Sequence, residues 1–148
     1  MSQNNETVRL TQVQDYRFHA QFGEGIAVLQ TDEPPPLGQG QGPSPVQLLS
    51  AAVGNCLSAS LLFALRKYKQ DPGSIGCDVA AEVGRNAENR LRVLSMQATI
   101  TIGVPGDTLQ HLDRILGSFE AFCTVTQSVR EAIPVTVSVF DSHGSQLK

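Results

Sequence analysis

The sequence predicts an α+β fold with antiparallel sheets, and three observations carry this prediction. Pairs of strand-like segments, in which apolar and polar residues alternate, occur on both sides of one long apolar segment. That long segment begins with a helix start signal. A stripe of apolar residues at helical spacing follows the second pair of strands. Because the strands occur in runs between helices, and do not alternate with them singly, antiparallel sheets are expected.

Length and composition predict one domain over residues 1–148. The chain is 41% hydrophobic and 17% charged, a balance that favours a packed core over disorder. Residues 1–6 are polar and are expected to form a loose tail. The net charge is −3, and the lysines and arginines are spread along the chain. Neither a nucleic acid nor an anionic membrane is therefore an expected partner.

Two or three strands are predicted before the long apolar segment. The first contains Val8 and Leu10. Residues 16–22 and 26–31 alternate between apolar and polar side chains, which is the pattern of half-buried strands. A glycine-containing turn at residues 23–25 joins these two strands into a predicted hairpin.

The long helix is expected to start at the end of a proline- and glycine-rich connector, DEPPPLGQGQGPSP. Ser44 is the predicted N-cap, Pro45 the first helical residue and Gln47 the third, an arrangement known as a capping box. The helix is predicted to run to about Lys69, because an Asp-Pro-Gly turn follows at residues 71–73.

Apolar residues occupy every face of this predicted helix between Leu48 and Leu65. A helix that is apolar all round is covered on all sides. A chain of 148 residues has little material for that, so a partner subunit is expected to supply part of the cover. Serine, glycine and asparagine interrupt the apolar run, whereas a membrane span needs about 20 mostly apolar residues. A core helix is therefore expected.

The second half of the chain repeats the strand-then-helix order. The apolar parity of the second strand slips at Leu94-Ser95, which predicts a β-bulge there. The next helix is predicted to start at Asp107 as its cap, with Gln110 three residues later. The predicted elements are strands at 75–83 and 91–102, a helix at 107–122, a short helix at 126–132 and a last strand at 135–139.

No local motif predicts a metal or a cofactor. His19, His111 and His143 are far apart, and none is four residues from a cysteine or another histidine. The sequence also lacks a C-x-x-C pair, a phosphate-binding glycine loop and a nucleophile-elbow serine. No bound metal and no cofactor are expected.

The three cysteines are the main candidates for chemistry. Their odd number, and the absence of a secretory signal pattern, indicate a reducing cytoplasmic location with free thiols or one reversible pair. Cys77 occupies an inward position on a strand, where cysteine acts as a small hydrophobic residue. Cys56 and Cys123 either pack in the core or react. A reversible disulfide between them requires Cα atoms within about 7 Å.

Three segments resemble the OsmC/Ohr family, the osmotically inducible and organic hydroperoxide resistance proteins. GPSPVQLLSAAVGNCLSASL resembles the central-helix motif of that family, and TDEPPPLGQGQG resembles the approach to this helix. CTVTQS, at residues 123–128, resembles the second cysteine motif, which is usually Cys-Pro followed by small polar residues. The resemblance extends from about Thr7 to Asp141.

This resemblance implies an intertwined homodimer, in which large antiparallel sheets wrap two long central helices. It also implies a thiol peroxidase in oxidative-stress defence, with Cys56 as the peroxidatic thiolate and Cys123 as the resolving thiol. The implied partners are a small organic hydroperoxide and an external dithiol that reduces the resulting disulfide. An apolar lining around Cys56, expected from Leu49, Val53 and Phe119, would favour organic peroxides over hydrogen peroxide.

One departure from the family pattern leaves two functions open. Active members of the hydroperoxide-resistance branch carry a glutamate after the motif proline, and it pairs with an arginine that activates the cysteine. Val46 occupies that position here. Arg17 is the nearest candidate for the activating arginine, and the alternative is that it lies on the solvent face of its strand. The protein is then either a peroxidase using Cys56, Cys123 and Arg17, or a non-catalytic relative that binds a small apolar ligand at the dimer interface.

Overall fold

The computed structural model describes residues 3–148 and confirms the α+β class. The chain divides into two compact units, Met1–Leu48 and Leu49–Lys148. A single domain over residues 1–148 stays a prediction. Met1 and Ser2, part of the predicted loose tail, lie outside the described residues, and residues 3–8 are exposed without regular secondary structure.

The N-terminal unit contains a three-stranded antiparallel sheet in the order β1-β2-β3. Its strands are β1 (Arg9–Gln14), β2 (Arg17–Gln21) and β3 (Leu29–Thr31). The third strand is shorter than the predicted 26–31, because the hairpin loop is wide. Gly23 and Gly25 take φ angles of 136° and 78°, and this glycine conformation bends the chain away from the strand path.

The predicted capping box starts the long helix α1 (Pro45–Lys67). The Ser44 amide donates to Gln47 Oε1 at 2.9 Å, and the Gln47 amide donates to Ser44 Oγ at 3.2 Å. Each side chain therefore satisfies a backbone donor that the helix start leaves unpaired. The helix ends two residues before the predicted Lys69, which takes a left-handed φ of 57°.

One face of α1 is buried within the C-terminal unit and the opposite face is exposed. The buried residues include Val53, Leu57 and Leu61, which pack in the core cluster. Phe63 on the opposite face is 69% exposed. The single chain therefore covers only one side of α1, which agrees with the expectation that 148 residues are too few to cover the whole helix. Among residues 3–148, α1 alone is long and apolar enough to cross a membrane by length and composition, a test that core helices also pass.

The C-terminal unit contains a second three-stranded sheet in the order β4-β5-β6. β4 (Ile75–Arg85) pairs antiparallel with β5 (Leu91–Ile102). Leu94 has no partner between Val93 and Ser95 in this register, so the predicted bulge is confirmed.

The last strand departs from the all-antiparallel expectation. β6 (Val135–Phe140) pairs in parallel with β5, from Met96 opposite Val135 to Thr101 opposite Phe140. The helical segments between Ile102 and Val135 carry the chain back to Met96, near the middle of β5. A crossover of this length is what a parallel pair needs.

The predicted single helix at 107–122 is wrong in its boundaries. The region forms a 3₁₀ turn at Gly106–Thr108, helix α2 (Leu112–Ser118), a 3₁₀ turn at Phe119–Phe122 and helix α3 (Thr124–Arg130). The break lies at Gln110, whose amide donates to Gln70 Oε1 at 2.8 Å, and at His111, whose φ is 59°. The apolar stripe was a correct indicator of burial, since Ile115, Leu116 and Phe119 are in the core.

Candidate active site

Helices α1 and α3 bring two of the three cysteines into contact. Cys56 lies half-buried in the middle of α1, and Cys123 is fully buried directly before α3. The two thiols lie close enough to affect each other's ionisation, and all three cysteines are free. The sequence left open whether Cys56 and Cys123 meet, and the structure places them together.

The Cys56 sulfur also accepts hydrogen bonds from two backbone amides at the start of α3. Their donors are Val125 and Thr126. Burial raises the pKa of the Cys56 thiol, and the neighbouring Cys123 thiol adds to the rise, whereas the two amides lower it. The net effect is a pKa above the ordinary value, so the resting Cys56 is mainly protonated at neutral pH.

Thr126 contacts both thiols of the pair. Its hydroxyl oxygen lies 3.1 Å from Cys123 Sγ, and both residues are 0% exposed. Its backbone amide donates to Cys56, as described above. The side chain and the backbone of one residue therefore contact the two sulfur atoms separately.

The segment that carries Cys123 is anchored through Glu120. The Cys123 amide donates to the Glu120 carbonyl at 3.0 Å, and Gln127 Nε2 donates to the same carbonyl at 2.9 Å. The Glu120 carboxylate forms ion pairs with Arg130 and Lys148. Burial alone would raise the pKa of this carboxyl, but the two cations hold it below its ordinary range. These contacts fix the turn that presents Cys123 to Cys56.

Cys77 lies on β4 in a different environment. Its side chain is half-buried, and its thiol contacts the hydroxyl of Ser58 on α1. Burial raises the pKa of the Cys77 thiol above its ordinary value. This placement agrees with a packing role for Cys77.

Arg17 belongs to the N-terminal unit, and its side chain is only 20% exposed, so it does not lie on the solvent face of its strand. Its guanidinium donates to Gln39 Oε1 at 3.0 Å and lies 3.8 Å from the Asp32 carboxylate. Among residues 3–148, the buried Arg17 Nε has no hydrogen-bond partner. Arg17 therefore has a carboxylate neighbour, although Val46 stands where the family pattern has glutamate.

Asp32 is a buried carboxylate beside Arg17 that the sequence did not reveal. Its side chain is 2% exposed and accepts three backbone N–H groups, from Glu33 at 2.8 Å, Gln39 at 3.3 Å and Gln41 at 3.1 Å. Burial alone would raise the pKa of this carboxyl, but the amides and the Arg17 charge lower it. The sequence signal for this role was the position of an aspartate between a strand and a proline- and glycine-rich connector, where aspartate often accepts hydrogen bonds from loop amides.

Two of the cavities in the N-terminal unit border Asp32. An apolar cavity of about 290 Å³ is bordered by Leu10, Tyr16, Phe18, Pro45 and Leu48, with Thr31, Asp32 and Glu33 at its polar side. A more polar cavity of about 640 Å³ includes Arg17, Asp32 and Gln39 in its lining. Within residues 3–148, no group of three or more histidine, cysteine or acidic side chains is placed to hold a metal ion.

A family model described as OsmC-like protein matches residues 38–138, more than half of the chain. The chain belongs to the OsmC-like protein family. The resemblance found in the sequence is thereby confirmed. No curated protein shows significant sequence similarity to the chain.

Solved structures with the same fold include other members of the OsmC-like family. An OsmC-like protein of unknown function from Vibrio cholerae superposes with a TM-score of 0.78 at 16% identity, covering 93% of this chain and 100% of its own. An organic hydroperoxide resistance protein OsmC, described as a predicted redox protein, from Legionella pneumophila gives 0.73 at 15%, covering 94% and 98%. An organic hydroperoxide resistance protein from Elizabethkingia anophelis gives 0.72 at 17%, covering 93% and 98%. At these identities the likeness establishes the fold.

Proposed function

We propose that this OsmC-like protein is a thiol peroxidase that reduces organic hydroperoxides, with Cys56 as the attacking thiol and Cys123 as the resolving thiol. The observation that carries the proposal is the proximity of these two thiols, which belong to separate helical segments and interact electrostatically. The family membership supports the same theme, since relatives with this fold are described as hydroperoxide resistance or redox proteins.

The proposed reaction has three steps. The Cys56 thiolate attacks the peroxide O–O bond, so that an S–O bond forms and an alcohol leaves after taking up a proton. The Cys123 sulfur then attacks the Cys56 sulfenic acid, which forms the disulfide and releases water. An external dithiol finally reduces the disulfide by thiol–disulfide exchange. Because the two thiols are already in contact, resolution can outrun over-oxidation of Cys56.

Arg17 is the proposed activating cation, held by Asp32 in place of the missing glutamate. A positive charge stabilises the thiolate, so the proposed role of Arg17 is to offset part of the rise in the Cys56 pKa that burial causes. Support for this role comes from the burial of the Arg17 side chain and from its ion pair with Asp32. The ion pair limits the freedom of the guanidinium, which is the function that the family pattern gives to glutamate.

The proposed assembly is a homodimer that covers the exposed face of α1. Phe63 on this helix is 69% exposed, and Phe122, just before Cys123, is 71% exposed. Large apolar side chains this exposed are typical of protein interfaces when they cluster. Sedimentation velocity at micromolar concentration tests the assembly, and a folded monomer would contradict it.

The proposed activity is tested by counting thiols after one equivalent of cumene hydroperoxide. Two of the three thiols should disappear, and peptide mapping should show a disulfide between Cys56 and Cys123. Hydrogen peroxide at the same concentration serves as the comparison and should react more slowly. A disulfide that includes Cys77, or the loss of no thiol, would contradict the assignment.

The raised pKa of Cys56 predicts a reaction that accelerates with pH. Only the thiolate attacks, and an ordinary thiol with a pKa of about 8.5 is about 3% ionised at pH 7. Because the pKa of Cys56 lies above its ordinary value, its thiolate fraction at pH 7 is smaller still. The rate of Cys56 oxidation should therefore rise steeply between pH 7 and 9, by up to about tenfold per unit. Single-turnover kinetics measure this profile, and a rate already maximal at pH 6 would show that another group ionises the thiol.

A second candidate function is the binding of a small apolar ligand without catalysis. The apolar cavity of about 290 Å³ in the N-terminal unit favours it, together with Val46 at the position of the family glutamate. A Cys56→Ser variant separates the two functions. If the protein is a binding module, the Cys56→Ser variant should bind an apolar ligand as tightly as the parent. Loss of two thiols when the parent is treated with peroxide would favour the peroxidase.

A further inference from the structure

We propose that Thr126 controls the resolving step: its buried hydroxyl group holds the Cys123 sulfur and hydrogen-bonds it as it becomes the attacking thiolate. The inference rests on the proposed function, since it assigns a role within the Cys56–Cys123 reaction. It is carried by the 3.1 Å contact between Thr126 Oγ1 and Cys123 Sγ in a fully buried environment.

The contact suits both protonation states of Cys123. A hydroxyl group is donor and acceptor, and it rotates to suit its partner. It accepts from the thiol while Cys123 is protonated, and it donates once the sulfur is a thiolate. A hydrogen bond to an ionised acceptor is about twice as strong as a neutral one, so the hydroxyl group favours the thiolate. In a site that water does not reach, no solvent molecule replaces this donor.

The hydroxyl group also fixes the direction of attack. Resolution requires the Cys123 sulfur to approach the Cys56 sulfur as the S–O bond of the sulfenic acid breaks, so that the S–S bond forms and water leaves. The Thr126 amide donates to Cys56 while its side chain contacts Cys123. The two reacting atoms are therefore positioned against the same residue.

The backbone and side-chain contacts of Thr126 can be separated by mutation. Thr126→Val keeps the shape of the side chain and the backbone donor to Cys56, but removes the hydroxyl group. The first attack on peroxide should change by less than about twofold, while disulfide formation should slow by about tenfold, the effect expected for the loss of one charge-assisted hydrogen bond. Thr126→Ser restores the hydroxyl group and should restore the resolving rate. Thr126→Ala removes the hydroxyl group without a matched shape and replaces the valine variant if that variant does not fold.

Two measurements test the role in a Cys77→Ser background. Single-turnover kinetics with cumene hydroperoxide resolve sulfenic acid formation from disulfide formation. With 2,2′-dithiodipyridine, which needs no peroxide, Cys56 releases one pyridinethione on attack and Cys123 releases a second on closing the disulfide. Thr126→Val should slow only the second release.

The outcomes distinguish this inference from the proposed function. A second release as fast in Thr126→Val as in the parent would overturn the role of Thr126, whatever the peroxide activity. Slow second release in Thr126→Val with rescue by Thr126→Ser supports it, even if the parent is inert toward hydroperoxides. Equal slowing of both releases, without rescue by serine, would show a purely structural role and would overturn it.

Discussion

Replacement of Cys56 by serine is expected to abolish hydroperoxide turnover. Serine has nearly the same size but its hydroxyl group is not ionised near neutral pH, so no nucleophile remains at this position of α1. The turnover rate should fall by at least about 10³-fold, because enzymes accelerate reactions by about 10⁶-fold or more. The measurement is consumption of cumene hydroperoxide with excess dithiothreitol as reductant. Circular dichroism should show an unchanged fold.

Replacement of Cys123 by serine should have a different result. Cys56 remains able to attack, so one equivalent of alcohol should form quickly. The sulfenic acid then has no thiol partner, and further peroxide should oxidise it to sulfinic acid, which is visible as a mass increase on the Cys56 peptide. Without a reductant the parent should stop at the Cys56–Cys123 disulfide, whereas this variant should go on to the sulfinic acid.

Cys77→Ser is the matched control for both variants. Cys77 has a similar degree of burial to Cys56 and its thiol contacts Ser58, so its loss should leave turnover within about twofold of the parent. Loss of activity in this variant, or a Cys56 that resists over-oxidation in Cys123→Ser, would show that the roles of the three cysteines are assigned wrongly.

The parts of the fold that the sequence predicted are those with local causes. The capping box depends on residues three apart, and the bulge at Leu94 depends on the parity of one strand. Such signals are complete within a few residues. The class of the fold and the order of its elements follow from them.

The parts that the sequence did not predict depend on distant contacts. Gln110 bonds to Gln70, forty residues away, and this bond draws the chain out of the helix that the apolar stripe predicted. The direction of β6 depends on where the preceding helices return the chain, which the alternation of Val135, Val137 and Val139 does not encode.

The candidate site was predicted only in part, because its contacts also join residues that are distant in the sequence. From the sequence pattern alone, Cys56 and Cys123 were either core residues or reactive thiols. The family resemblance implied that they react with each other. The structure then shows contacts that spacing does not reveal. The Asp32 carboxylate accepts hydrogen bonds from amides seven and nine residues later, in an irregular loop. Thr126 contacts Cys123, although nothing in the sequence distinguishes this threonine from other residues of a short helix.

Replacement of Leu61 by aspartate is expected to unfold the protein, whereas the same replacement at Phe63 should only affect assembly. Leu61 is 1% exposed in the core cluster, and Phe63, two residues later on α1, is 69% exposed. Loss of a buried leucine costs about 2–5 kcal/mol, and burial of an unpaired charge adds several more. The total approaches the stability of a typical domain, which is about 5–15 kcal/mol.

The pair of variants separates the two faces of α1. Phe63→Asp should keep the helical signal of the parent, because the residue does not pack in the core of its own chain. If the exposed face of α1 is the proposed dimer interface, this variant should sediment as a monomer or as a weakened dimer with a lower melting temperature, because dissociation removes the stabilisation that a bound partner provides. Leu61→Asp should lose helical signal at all concentrations. A Phe63→Asp dimer as tight as the parent would place the interface elsewhere, and a stably folded Leu61→Asp would show that this face of α1 is not the core.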